Sequence, residues 1–119
     1  MLPISHQQSY TELMTALESL KNAIAQSNRE PQVIEDCHRK VQQVYQDRIV
    51  TLTVESVDDA IASRWQSLQT EINRSLRLLK TDIIFLKASR QNQTTQQRVQ
   101  ACLTRLDQLM KYCQELHKL

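Results

Sequence analysis

Apolar residues recur along this chain at helical intervals, in four stretches separated by polar breaks. In the first, from about Ser5 to Ser27, Tyr10, Leu13, Met14, Leu17, Leu20 and Ile24 fall on one stripe. Ser5 and Gln8 have the spacing of a capping box. Pro31 closes the stretch, because the residue before a proline is driven out of the α region. A second stripe, Val33, Ile34, Cys37, Val41, Val44, Tyr45, Ile49 and Leu52, predicts a helix from Pro31 to roughly Leu52, with the proline in its first turn. Its end is ambiguous: Val50, Leu52 and Val54 alternate with Thr51, Thr53 and Glu55, as in a strand. A lone strand would lack a partner, so 50–55 is expected to be a fraying helix end.

The third stretch carries the strongest pattern. Ser56 with Asp59 resembles an N-cap, and a helix of about 57–90 follows without a breaker. Ile61, Trp65, Leu68, Ile72, Leu76, Leu79, Ile83 and Leu86 are spaced 4-3-4-4-3-4-3, close to a heptad seam. After the polar break Arg90-Gln91-Asn92-Gln93-Thr94, Thr94 with Gln97 is expected to cap a fourth helix. Its stripe is Val99, Cys102, Leu103, Leu106, Leu109, Met110, Cys113 and Leu116. Short connections predict an all-α protein: an antiparallel four-helix bundle with one long central helix (about 57–90), forming a single domain over 1–119. At ~1.5 Å per residue the third helix would be ~50 Å long against ~33 Å for the first. It must kink or protrude, and a protruding apolar seam would be covered by a second copy, making a homodimer through the third helix.

Composition agrees with long helices. There is no Gly, only 2 Pro, and 4% aromatic residues, so an aliphatic core is expected and folds that need glycine turns or phosphate loops are disfavoured. Cys37, Cys102 and Cys113 are odd in number and widely spaced. They read as reduced thiols in the cytoplasm, and as small apolar residues on helix stripes. The start Met1-Leu2-Pro3-Ile4-Ser5-His6 has no basic segment followed by an apolar one, so no leader is expected there. No apolar run approaches the ~20 residues of a membrane span. Net charge is +2, but residues 1–60 carry −4 and residues 61–119 carry +6. Either the halves attract one another, or a basic face is left for an acidic partner.

Catalytic chemistry is not visible. No phosphate loop, no Cys-x-x-Cys and no Ser/His/Asp motif occurs. Cys113 and His117 have the spacing of half a metal site without further ligands, so no metal or cofactor is expected. Glu71 and Asp82 lie ~16 Å apart along the third helix, too far to act as an acid–base pair, and are expected to be solvated or paired with Arg74 and Arg77. The third helix has a second feature. Leu78 and Phe85, seven apart, lie to one side of the seam with Arg74 close by, and Ile84 lies to the other. A bundle helix that touches two neighbours has such a wide apolar arc. The arc is also what a binding patch would use, with Leu78 and Phe85 as apolar anchors and Arg74 and Arg77 as polar contacts. Nucleic acid is the competing partner for Arg64, Arg74, Arg77, Lys80, Lys87 and Arg90. These positions spread around the helix without an aromatic platform, so nucleic acid is disfavoured.

The segment Arg64-Trp65-Gln66-Ser67-Leu68-Gln69-Thr70-Glu71-Ile72-Asn73-Arg74-Ser75-Leu76-Arg77-Leu78-Leu79-Lys80-Thr81-Asp82-Ile83-Ile84-Phe85-Leu86 resembles the central helix of the PatD family of cyanobacteria. The specific part is Thr-Glu-Ile-x-Arg-x-Leu-Arg-Leu-Leu…Asp…Phe-Leu. The helix–break–helix layout is similar over nearly the whole chain, including Arg105-Leu106…Tyr112-Cys113…Leu116. The resemblance implies a non-enzymatic regulatory adaptor that controls heterocyst frequency in filamentous cyanobacteria by binding the division protein FtsZ and modulating its assembly. The alternative is a helical regulator of nucleic acid or of an unrelated protein.

Overall fold

A computed structural model describes residues 2–119. Met1, the first residue of the expected domain, lies outside them. Four α-helices pack against one another: α1 (Ile4–Ala25), α2 (Pro31–Val44), α3 (Asp59–Ala88) and α4 (Asn92–His117). Among the described residues there is no strand, and the particle measures 50 × 20 × 18 Å. α4 packs closely on both α1 and α3, and α1 on α2. The predicted stripes supply the core. Leu13, Leu17, Leu20 and Ile24 of α1 are fully buried, as are Ile72 and Leu79 of α3 and Leu106, Leu109 and Leu116 of α4.

The helix ends differ from the sequence reading in specific ways. α1 begins at Ile4, one residue before Ser5, because Pro3 with φ −54° sets the helix entry and Gln7 N–H bonds its carbonyl. Ser5 is then already helical and forms no capping box. α3 is capped by Asp58, whose carboxylate accepts the Ala60 N–H at 3.1 Å, rather than by Ser56. α4 starts at Asn92, upstream of Thr94, and its entry is tied differently. Ser89 Oγ donates to the Leu86 carbonyl at 2.7 Å, and the Ser89 and Thr95 hydroxyls are 2.8 Å apart.

The ambiguous segment after α2 is neither strand nor α-helix end. The helix widens into a π turn over Tyr45–Ile49, closed by Val50 N–H on the Tyr45 carbonyl at 2.9 Å. The wider turn keeps Ile49 buried while Arg48 reaches Glu12 of α1 at 3.1 Å. A short 3-10 turn, Val54–Ser56, then packs on α3. Leu52 and Val54 are partly buried against the core, and Val57 is buried. Of the predicted seam of α3, Trp65, Leu68, Ile72, Leu79, Ile83 and Leu86 are each exposed by 7% or less, while Ile61 and Leu76 are only partly buried.

All connections are made without any positive-φ residue among those described, as a chain lacking glycine requires. Few polar groups enter the core. Trp65 Nε1 donates to Tyr10 Oη at 2.9 Å, and that hydroxyl donates to Gln69 Oε1 at 2.6 Å. Burial holds the Tyr10 phenol above its ordinary range, so it stays protonated and able to donate. His6 packs edge-on against Trp65, ring centroids 6.0 Å apart, with both ring nitrogens buried and without a hydrogen-bond partner.

Tyr10→Phe would leave the Trp65 N–H and the Gln69 carbonyl oxygen without their partner while keeping the ring in place. The expected loss is ~1–3 kcal/mol of stability, read by urea unfolding followed through the fluorescence of Trp65, the only tryptophan. An unchanged midpoint would show that the linkage does not contribute.

Candidate partner-binding surfaces

The structure places the four sequence-selected residues on two different flanks of α3. A helix turns ~100° per residue, so Arg77 and Leu78, adjacent in sequence, diverge at once. Leu78 and Phe85 lie on the flank that faces α4. Asp82, between them, bonds Arg105 of α4 at 3.0 Å, and the Arg98 guanidinium of α4 sits 4.7 Å from the Phe85 ring centroid. Phe85 is 47% exposed and Leu78 37%. Arg74, an exposed residue paired with Glu71 at 3.7 Å, lies one turn before Leu78 on the same side. These three therefore share one surface, joined by Arg98, which the sequence reading did not identify. Its signal was unreadable, because which residue of a fourth helix meets Phe85 depends on the packing of two helices. A cation over an exposed ring contributes ~0.5–1 kcal/mol and holds both side chains in a defined pose.

Arg77 belongs to the opposite flank, facing α2. There it lines a depression of about 490 Å³ with His38, Tyr45, Leu76 and Lys80. A second depression of about 250 Å³ continues it past Ile83 and Ile84 toward Lys87. The six basic positions named from the sequence are thus only partly dispersed. Arg64 bonds Glu115 of α4 at 2.9 Å, and Arg74 points outward, but Arg77, Lys80 and Lys87 gather along one groove. The charge asymmetry between the chain halves is not spent on holding them together. Among the described residues, only Glu35–Lys87, at 3.7 Å, joins an acid of the first half to a base of the second. Lys21–Asp107, at 2.7 Å, runs the other way.

The groove is positive enough to act on its own titratable groups. His38 is held below its ordinary 6.5 by burial first and then by Lys87 and Lys80. Burial raises Tyr45, and Arg77 opposes that rise. A larger depression, about 600 Å³, lies at the start of α1 beside the π turn. It is crossed by the Glu12–Arg48 pair and carries Asp47, so it lacks this positive excess.

The remaining candidates are structural. Cys113 is fully buried and its thiol is pushed up to about 12 by burial, while His117 is exposed, so the two do not converge. Cys102, also fully buried, is raised to about 11, by burial and then by Asp82. Among the described residues no three His, Cys, Asp or Glu gather to hold a metal ion, and no helix is long and apolar enough to cross a membrane. No family model matches the chain, and no curated protein and no solved structure is detectably similar to it.

His38 gives a pH signature. Its folded value lies below the unfolded one, so on acidification the unfolded chain takes up the proton first. Stability is complete above ~6.5, the ordinary histidine value, and falls as pH drops through the folded value. Denaturation midpoints at pH 7.5 and 5.5 should therefore differ more for the wild type than for His38→Gln. Equal differences would mean that His38 is not lowered by its burial and its neighbouring lysines.

Proposed function

We propose that this chain is a non-enzymatic regulatory adaptor that acts by binding another protein. The observation that carries this is the exposed surface of Phe85, Leu78, Arg74 and Arg98. It combines aromatic, aliphatic and guanidinium groups, the composition that interface anchors favour. Phe85 is not part of the core, being 47% exposed, while Trp65, Leu68, Ile72, Leu79, Ile83 and Leu86 of α3 are buried without it. The scaffold that presents it reads as an antiparallel bundle with α3 as its long presenting element. Ion-pair registers support that arrangement, because Arg64 meets Glu115 and Asp82 meets Arg105 along α3 and α4.

The resemblance of Arg64–Leu86 to the central helix of the PatD family supplies the partner. In this reading the protein controls heterocyst frequency in filamentous cyanobacteria. It works in the cytoplasm by binding FtsZ and modulating its assembly. The basic second half of the chain, +6 over residues 61–119, suits an acidic filament-forming protein.

The test is co-sedimentation of the purified protein with cyanobacterial FtsZ and GTP over a range of salt, with controls lacking filaments. Wild type is expected in the pellet. Phe85→Ala together with Arg74→Glu is expected to weaken binding by about tenfold or more, as loss of interface anchors does. Both residues are exposed, so helicity by circular dichroism should be unchanged. Wild type in the supernatant at every salt, with filaments and with unassembled FtsZ alike, would remove FtsZ as the partner.

A further inference from the structure

Three of the four lateral seams of this molecule are closed and one is open. α1 packs on α2 and α4, and α4 packs on α3, but the α2 and α3 backbones do not approach in the same way. Long side chains bridge them instead, with Glu35 reaching Lys87 near one end. The two depressions between them share His38, Gln42 and Lys80 and so form one continuous groove. Along α3 it runs from Asn73 to Lys87, about four turns or ~21 Å.

We propose that the α2–α3 groove is a docking site for an acidic amphipathic helix of a partner protein. The groove walls are helices, whose backbone groups are already bonded, so they offer side chains and not a strand edge. That selects a helix in a groove over an added strand. The length matches about 14 residues of helix. The apolar elements are the half-buried Leu76 and Tyr45, the buried Ile83, and Ile84, which is 54% exposed. These suit apolar residues at i, i+3 or i+4, and i+7 on the partner.

Charge decides the rest of the partner's sequence. Four cations, Arg39, Arg77, Lys80 and Lys87, line the groove against one carboxylate, Glu35. Arg77 and Lys80 have no carboxylate within ion-pairing distance among the described residues, although neighbouring cations on α2 and α3 do. Two unpaired cations beside the half-buried Tyr45 and the exposed Ile84 set positive charge along an apolar floor, where anionic side chains would be matched. Asp and Glu flanking the partner's apolar stripe would meet them. The π turn contributes geometrically: it starts at Tyr45, which stands at the groove end away from Glu35 and Lys87. This inference rests on the reading that the chain binds protein, but not on FtsZ, and it uses the flank of α3 opposite Phe85.

The experiment is selection of phage-displayed random 16-residue peptides on the full chain, followed by fluorescence anisotropy of the selected peptides after synthesis. Selected sequences are expected to be acidic, with apolar residues at helical spacing. They should lose at least tenfold in affinity to Arg77→Glu/Lys80→Glu and to Ile84→Glu, and bind Phe85→Ala/Arg74→Glu as well as wild type. All substituted positions are exposed, and circular dichroism checks each variant. Three results would overturn the groove assignment: neutral or basic selected peptides, equal binding to the groove variants, or a single-stranded RNA oligonucleotide bound through the same cations more tightly than any peptide. If the peptides are lost only in Phe85→Ala/Arg74→Glu, the groove is overturned while the adaptor reading stands.

Discussion

A single phenol hydroxyl sets the register of this protein. Leucine and isoleucine fill a helical core well but tolerate sliding and repacking, because dispersion and hydrophobic burial are not directional. The Tyr10 hydroxyl is directional. It accepts from Trp65 and donates to Gln69, fixing α1 against the first half of α3 at one longitudinal position. A slip of one helical turn would strand three buried or half-buried polar groups, each losing its partner at ~1–3 kcal/mol. With α1 and α3 so fixed, α4 fills the space between them and α2 attaches to α1. Nothing comparable ties α2 to α3. Between α2 and α3 the link is the surface pair of Glu35 and Lys87.

Electrostatics follow the same geometry. The acidic first half and basic second half do not neutralise one another, because helix order brings like halves together along several seams. Arg105–Asp82 and Arg64–Glu115 are both formed within the second half, and Arg48–Glu12 within the first. Exposed pairs of this kind contribute little, ~0–1 kcal/mol each, so they do not dictate the fold. What they decide is which charges remain free. Glu115 and Asp82, at the seam of α3 and α4, take up Arg64 and Arg105, whereas Arg77 and Lys80, on the flank toward α2, meet no carboxylate among the described residues.

Much of the fold was legible from the spacing of apolar residues, since a 3.6-residue period survives in any helix that buries one face. The seam from Trp65 to Leu86 and the stripe from Cys102 to Leu116 are buried as read except at Leu76, Leu103 and Met110, which are half-buried. The ends were less legible. Pro3 starts α1 ahead of Ser5, Asp58 outcompetes Ser56, and the π turn at Tyr45–Ile49 leaves no mark in a hydropathy pattern, which registers only that Ile49 is apolar. The candidate surfaces were half legible. Periodicity showed that Leu78 and Phe85 leave the seam on one side and Ile84 on the other, yet grouped Arg77 with the wrong flank. It had no means of finding Arg98 or Tyr45 as neighbours, because those contacts depend on which helix lies beside which.

The want of glycine, and of any left-handed residue among those described, has a bearing on how this chain can change over time. In most proteins a few turn positions are closed to every side chain but hydrogen, and substitution there is punished. Here no link has such a position, since each bend is made in backbone regions open to all residues. Every link residue also carries a Cβ, which narrows the unfolded ensemble and lowers the entropy lost on folding. What limits substitution in the connections is then not backbone geometry but the few polar ties they make, such as the Asp58 cap and the Ser89–Thr95 link.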